Sequence, residues 1–483
     1  VKSYPKYYID GAWGASSPQN HSSLIDPTTE EAFATVGMCD EGDLDRAVSA
    51  ARRAFVDYGV SSISDRIGMF ERIVEVYTAR RAELADLIAR EMGSPKSVPV
   101  QTMGPIDHFR QAISLLKEYR FERSIGDTII RREPIGVCGL ITPWNWPVQT
   151  PVTKAAYALA AGCAVVIKPS EYSPLSTLFL AEVFHQAGVP KGVFNVVTGD
   201  GPLLGEAMCR HPGIDMISFT GSTRAGVLVA RAAAPTVKRV AQELGGKSAN
   251  IIFPDADLAA AARWNVGRGF FNSGQSCHAP SRVLVHVDQV EKVVAHMVAE
   301  AAKIRIGDPS DGATTMGPVV NKAQFDRIQA YIRKGIDEGA RLVLGGVGRP
   351  DGLERGYFVR PTIFADVTPD MTIAREEIFG PVLSILSYSS EGEAVELAND
   401  SPYGLGAYLF TRSREKGRDA SRRLRAGRVF FNGAAGSVAA PMGGYKQSGN
   451  GREMGIFGLE EYLEVKSIFG FPDDAAALEP IGP

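Results

Sequence analysis

The chain has 483 residues with 52 basic and 55 acidic side chains, a formal net charge of −3. That near-neutral balance excludes a general nucleic-acid surface, which needs clustered positive charge. With 45% apolar and 22% charged residues, the composition is that of a soluble globular protein long enough for two or three domains. The five cysteines (Cys39, Cys138, Cys163, Cys209 and Cys277) contain no C-x-x-C pair. Their number and spacing argue against a disulfide framework or structural zinc, and no histidines stand at metal-ligand spacing beside a carboxylate, so no metal is expected. The first ten residues lack the layout of a secretory signal, and the apolar stretch 155–167 is shorter than the roughly 20 residues that cross a bilayer. A reducing cytoplasm without membrane association is the expectation.

In chain order, residues 8–36 hold short β-like runs broken by Gly11, Gly14, Pro18 and Pro27. Apolar positions at three and four spacing predict helices over 43–55 and 64–92, the second stopped by Gly93. From residue 135 the texture becomes a repeating beat. Strands are predicted over 135–141, 164–167, 193–197, 216–219 and 239–244, with helices over 151–161 and 176–187 between them. Short apolar strands alternating with helices indicate parallel βαβ units in a doubly wound sheet. A second α/β region follows Lys247, with strands over 249–253, 282–286 and 382–386 and helices over 290–304 and 322–339. The Ala/Pro-rich tail 473–483 is expected at the surface or frayed.

Two nucleotide-site patterns fail. Gly246-Lys247-Ser248 resembles the end of a phosphate loop, but that motif needs a glycine where Ala241 stands. Gly199-Asp200-Gly201 is followed by Gly205 rather than by a glycine three residues on, so the strict dinucleotide fingerprint is absent. Phe219-Thr220-Gly221-Ser222-Thr223 carries more: a strand runs through glycine and hydroxyl residues into a helix, leaving free N–H groups where a phosphate binds. Its plain alternative is a capped helix without a ligand. Lys168-Pro169-Ser170-Glu171 ends a strand of the same sheet, where nucleotides sit in open α/β folds, or else is a solvated charge pair. Cys277 follows the polar turn 272–276, whose small neighbours leave room for a substrate. His278 invites a Cys–His pair, but adjacent side chains on an extended chain are expected to diverge. Glu243, before Gly245 and Gly246, suits a general base if it faces a pocket. The rigid loop Thr142-Pro143-Trp144-Asn145-Trp146-Pro147 offers the Asn145 amide as a donor to an oxyanion.

Together with Glu376-Glu377-Ile378-Phe379-Gly380-Pro381, Pro441-Met442-Gly443-Gly444-Tyr445-Lys446 and Ser448-Gly449-Asn450-Gly451-Arg452-Glu453, these segments stand in the order seen in the aldehyde dehydrogenase superfamily. The resemblance runs from Tyr8 to about Phe471. It implies an α/β fold with a Rossmann-like cofactor domain (1–118 and 134–245) and an α/β catalytic domain (246–444). A small β oligomerisation arm (119–133 and 460–483) and a return segment (445–459) complete it, in a homodimer or homotetramer.

The resemblance also implies a chemistry. Cys277 is similar to the nucleophile that attacks the aldehyde to give a thiohemiacetal. Asn145 and the Cys277 N–H form the oxyanion hole, where one donor is typically worth about 2.7–4 kcal/mol of barrier. Hydride loss to the nicotinamide leaves a thioester, which water activated by Glu243 hydrolyses to the acid. Lys154 and Glu464 match positions that relay protons in some members, or else form a structural ion pair. The implied cofactor contacts are Ile141, Thr142, Trp144, Lys168, Ser170, Glu171, Phe219, Gly221, Ser222, Leu244, Gly245, Glu377 and Phe379. Glu171 favours NAD over NADP, because a carboxylate beside a 2′-phosphate is repelled.

The implied substrate pocket comprises Trp146, Gln149, Thr150, Thr153, Phe271, Ser276, His278, Gly436 and Met442. No Arg or Lys stands among these positions, and the late loop 433–442 has no aromatic residue. A roomy pocket walled by Trp146 and Phe271 is expected, suited to a medium-chain, terpenoid or aromatic uncharged aldehyde. The rival readings are a CoA-acylating relative, which generally lacks the glutamate at 243, and a non-catalytic binding or structural relative.

Overall fold

Apolar pentapeptides make the centre of the larger sheet. In the strand Ala164–Lys168 every residue is buried, and alternate side chains enter different cores: Val165 and Ile167 one, Ala164 and Val166 the other. A strand covered on both faces reads as a continuous apolar run, which is why this one was legible. In the computed structural model, which describes residues 2–14 and 20–470, this strand belongs to an eight-stranded sheet. The strand order is Gly449–Asn450, Arg239–Glu243, Met216–Thr220, Val137–Ile141, Ala164–Lys168, Phe194–Val197, Tyr7–Ile9 and Ala12–Gly14. The five strands from Arg239–Glu243 to Phe194–Val197 are parallel, and the edge strands run antiparallel.

Helices cover both faces. Gln149–Ala161 and Pro174–Gln186 contribute to one core, backed by Ile63–Met92, while Glu41–Tyr58 packs into the other. Glu41–Tyr58 starts at Asp40 with a reciprocal capping box to Asp43, which satisfies two otherwise orphaned N–H groups. Ile63–Met92 ends, as the sequence predicts, at Gly93 in the left-handed conformation (φ 78°). The helix Val100–Glu118 was not predicted. Gly104 and Pro105 lie inside it, and both disfavour a helix interior, yet it packs against Ile63–Met92 and Gln149–Ala161.

The second sheet has seven strands, in the order Arg341–Leu344, Thr362–Ala365, Val382–Tyr388, Arg282–His286, Ala249–Ile252, Gly406–Phe410 and Arg428–Phe431. All neighbours are parallel except the first pair. A three-stranded antiparallel sheet joins Leu463–Ile468, Thr128–Pro134 and Glu122–Ile125. A three-stranded mixed sheet joins Lys2–Tyr4, Glu31–Gly37 and His21–Asp26, the first pair parallel and the second antiparallel. The expectation for the tail 473–483, and the arm residues beyond 470, lie outside the described residues. Among the described residues no helix is long and apolar enough to cross a membrane.

The two large sheets are joined by the segment between Glu243 and Ala249, which leaves the C-terminal end of one strand and enters the N-terminal end of another. Loops after the strands of the first sheet therefore face loops before the strands of the second. A side chain at Gly246 would collide with the Cys277 carbonyl oxygen, so only glycine permits this approach.

Candidate active site

The turn before Cys277 is held in a costly conformation. Asn272 (φ 53°), Ser273 (φ 56°) and Gly274 (φ 72°) are all left-handed, a region that non-glycine residues occupy at an energetic cost. A Cβ at Gly274 would collide with the Gly380 carbonyl oxygen. Hydrogen bonds hold the turn: Asn272 Nδ2 donates to the Asn145 carbonyl (3.1 Å), Ser273 Oγ to the Gly317 carbonyl (2.8 Å), and Val320 N–H to Gln275 Oε1 (2.9 Å). Gln101 Nε2, from the unpredicted helix, reaches both the Asn145 carbonyl (3.1 Å) and Asn272 Oδ1 (3.3 Å). The result is a partly exposed Cys277, while Cys39, Cys138, Cys163 and Cys209 are buried.

Asn145 is buried beside this turn and donates from Nδ2 to the Gln275 carbonyl (3.0 Å). One amide hydrogen is thereby fixed and the second remains for another acceptor. Glu243 is buried at the end of its strand, and neither carboxylate oxygen has a hydrogen-bond partner. Burial first, then the charge of Glu453, pushes its carboxyl well above the usual range, against Lys154, Arg452 and Arg428. Burial also pushes the Cys277 thiol up, with Glu243, Glu377 and Glu453 adding to it and its own backbone N–H opposing.

A second cluster lies at the C-terminal ends of the parallel strands. Lys168 is buried and donates to the carbonyls of Pro169 and Gly199, both at 2.9 Å, with Glu171 at 3.8 Å. Burial lowers its ammonium pKa, against the charges of Glu171 and Asp200. Ser170 Oγ accepts from the Tyr172 N–H (3.3 Å). The glycine turn that failed the strict fingerprint lies alongside: the Lys168 and Ile141 side chains pass Gly205, and Glu171 faces Gly201. Ser222 caps the helix Thr223–Ala233 and accepts from the Ala225 N–H (3.2 Å). Gly221 sits over the buried Phe219 ring, and the Leu244 N–H donates to the Ser448 carbonyl (3.0 Å). Buried hydroxyls of Thr142 and Thr220 have no partner.

Glu377 bridges the clusters. Its Oε1 accepts from the Gly246 N–H (2.9 Å), and its carboxylate lies close over Gly245, where a side chain would have to displace it. Burial raises its carboxyl to about 7, opposed by the Gly246 N–H, Arg327 and Lys247. Phe379, itself left-handed (φ 60°), meets Trp144 edge to face at 5.3 Å. Among the described residues no group of three His, Cys, Asp or Glu side chains is placed to hold a metal ion.

A model of the aldehyde dehydrogenase family matches residues 13–468. The chain belongs to that family. It is 49% identical over 477 residues, covering 98% of this chain and 99% of the relative, to a 3-succinoylsemialdehyde-pyridine dehydrogenase of a Pseudomonas species. Among solved structures it is similar to a mutant of aldehyde dehydrogenase C from Pseudomonas syringae, complexed with NAD+ and octanal, at TM-score 0.96 and 51% identity over 97% of both chains. An aldehyde dehydrogenase of Mycobacterium tuberculosis complexed with NAD+ matches at TM-score 0.94 and 40% identity, over 98% of this chain and 99% of that one.

Within this aldehyde dehydrogenase Lys154 is not paired with Glu464, the partner expected from the sequence. Lys154 is fully buried, and its Nζ contacts Glu453 (2.5 Å) and Ser218 Oγ (2.9 Å), not Glu464. Glu464 lies on the Leu463–Ile468 strand, half exposed, and pairs with Arg239 at 3.0 Å. Glu453 takes the place beside Lys154, from a segment whose backbone pairs with Met442.

The expected pocket residues separate into two groups. Trp146 and Phe271 stack at 5.9 Å and 26°, while Thr150 lies half-buried in the first turn of the helix Gln149–Ala161 and Ser276 is buried in the cysteine turn. Thr153, by contrast, is buried with its hydroxyl on the Gln149 carbonyl (2.8 Å) and His108 Nε2 (3.0 Å). Gln149 faces Gly104 of the same unpredicted helix. Gly436 lies against Arg428.

The histidine expectation also changes: Cys277 Sγ and His278 Nδ1 are 3.7 Å apart, not divergent. The structure adds two arginines beside the positions expected to form the pocket. Arg268 contacts His278 Nε2 (2.5 Å) and lies over Phe271 (5.6 Å), and Arg428 lies over Phe430 (5.1 Å). Arg268 sits on the helix Leu258–Gly269 just ahead of the cysteine turn, and only Arg428, on the strand Arg428–Phe431, comes from far along the chain.

Proposed function

We propose that this protein oxidises an uncharged medium-chain, terpenoid or aromatic aldehyde to the carboxylic acid with NAD, through a cysteine thioester that water hydrolyses. The observation that carries the reading is the pairing of a partly exposed Cys277 with a buried Glu243 whose oxygens lack partners. Cys277 attacks the carbonyl, and Asn145 Nδ2 with the Cys277 N–H receives the developing oxyanion. Glu243 then takes a proton from water that attacks the thioester, and Lys154 with Glu453 carries that proton onward.

NAD fits the second cluster: unpaired hydroxyls of Thr142 and Thr220 and the N-terminus of Thr223–Ala233 offer hydrogen-bonding groups, and Glu171 offers a carboxylate for ribose hydroxyls. Bound there, it supplies the hydride acceptor. Lys168, Ser170, Ser222, Glu377 and Phe379 hold and orient it. The two large sheets divide the work between cofactor and catalytic regions. The three-stranded sheet of Leu463–Ile468 carries exposed Ile125 and Val465, which suits an arm that forms a dimer or tetramer. A reducing compartment suits the free thiol.

The Trp146–Phe271 wall supports the substrate class, as does the likeness to an enzyme crystallised with octanal. The test is NADH formation without CoA across acetaldehyde, octanal, citral, benzaldehyde, succinate semialdehyde and betaine aldehyde. Turnover favouring the bulky uncharged members is expected. A preference for succinate semialdehyde overturns the pocket reading, and dependence on CoA overturns the hydrolytic one.

A further inference from the structure

Resting on the reading of Cys277 as nucleophile, we propose that His278 is a hydrogen-bond donor to the Cys277 thiolate, with its tautomer fixed by Arg268. His278 Nε2 lies 2.5 Å from Arg268 Nη2, and His278 Nδ1 lies 3.7 Å from Cys277 Sγ. A guanidinium has donors only and stays charged. Nε2 must therefore present its lone pair to Arg268, and a neutral imidazole so engaged carries its hydrogen on Nδ1. That hydrogen faces the sulfur. The order of roles follows from Arg268 alone: with the other tautomer, two N–H groups would point at each other.

The surroundings keep the ring in this state. The groups facing the thiol and the imidazole come from several elements: Glu243, Glu377 and Glu453 near the sulfur, and Arg268, Arg428 and Tyr408 near the ring. Burial, Arg268 and Arg428 hold the imidazole well below its ordinary pKa, so it acts as a neutral donor rather than as half of an ion pair. The His278 carbonyl accepts from the Tyr408 hydroxyl (2.7 Å), and Tyr408 stacks on Phe430 at 5.1 Å and 18°. Arg268 in turn lies over Phe271. Three carboxylates and burial oppose ionisation of Cys277. A fixed donor beside the sulfur offsets part of that opposition without adding a proton that the acyl-transfer step must later remove. When the thiol ionises, its proton leaves to solvent and His278 keeps its own. Arg268 is a positioning residue in this account.

The test is the pH dependence of Cys277 alkylation by iodoacetamide in cofactor-free enzyme, since the other four cysteines are buried. NAD binding verifies that each variant is folded. His278→Leu is expected to raise the alkylation midpoint by about one pH unit and slow the reaction roughly tenfold near pH 7.5, the scale of one hydrogen bond to a charged group. His278→Asn, whose amide N–H₂ sits near the Nδ1 position, should stay within about threefold of the unaltered enzyme. Arg268→Met should free Nε2 and introduce a second inflection toward the ordinary histidine range of about 6.5. An unchanged profile in His278→Leu overturns the proposal. So does an equal loss in His278→Asn, or the absence of a new inflection in Arg268→Met. Normal turnover in Cys277→Ala overturns the nucleophile reading itself, whereas loss of turnover there with an unchanged His278→Leu profile overturns only this proposal.

Discussion

At the Lys168 end of the eight-stranded sheet, the buried ammonium is tied to two carbonyls at 2.9 Å and faces Glu171. Around Cys277 the pattern reverses. The backbone scaffold is heavily hydrogen bonded through Asn272, Ser273 and Gln275, but both oxygens of Glu243 are left without partners. A buried carboxylate without partners is costly, and natural structures keep few of them. On the proposed function, the contrast separates a region that holds a molecule from one that reacts with it: the satisfied charge belongs to the receptor, and the unsatisfied carboxylate meets water and substrate.

Substitutions at the two regions should differ most in the size of their effect. Cys277→Ala should retain NAD binding, measured by cofactor fluorescence, and lose turnover by roughly a thousandfold or more. Glu243→Gln should keep a burst of NADH while its steady-state rate falls by about 10²–10⁴, seen in rapid-mixing traces. The same residue sets a pH dependence. Its carboxyl is held above the ordinary value of 4.5, and only the carboxylate accepts a proton. The steady-state rate should therefore decline with falling pH well before 4.5 is reached, and Glu243→Gln should remove that limb. Asn145→Ala should cost about 10²–10³ in kcat, with little change in NAD affinity.

Smaller effects sharpen the contrast. Trp146→Ala should raise KM for octanal by roughly tenfold and leave acetaldehyde nearly unaffected, because only the longer chain reaches the Trp146–Phe271 wall. Glu464→Gln should leave kcat within about twofold, since its pair with Arg239 is partly exposed and such pairs contribute about 0–1 kcal/mol. A large kcat loss there would restore Glu464 to the chemistry and undo the assignment of Lys154 to Glu453.

The sequence carried the features that depend on local chemistry. Apolar pentapeptides marked the parallel strands, Gly93 marked a helix end, and glycine and proline neighbours set Cys277, Glu243 and Asn145 apart. What it did not carry was assembled at a distance. Glu453 reaches Lys154 across 299 residues. Arg428, on the strand Arg428–Phe431, reaches the surroundings of His278 from far along the chain. The helix Val100–Glu118 was hidden by Gly104 and Pro105, whose local preferences tertiary packing overrides. Because that helix supplies Gln101, a hydrogen bond that holds Asn145 was hidden with it.

The account rests on a covalent acyl group at Cys277 that Glu243 is needed to remove. Glu243→Gln enzyme mixed with NAD and octanal, quenched in acid within the burst and digested, should give an octanoyl adduct on the Cys277 peptide by mass spectrometry, in amounts that match the NADH burst. A full NADH burst with an unmodified Cys277 peptide, or with the acyl group on another residue, would contradict it.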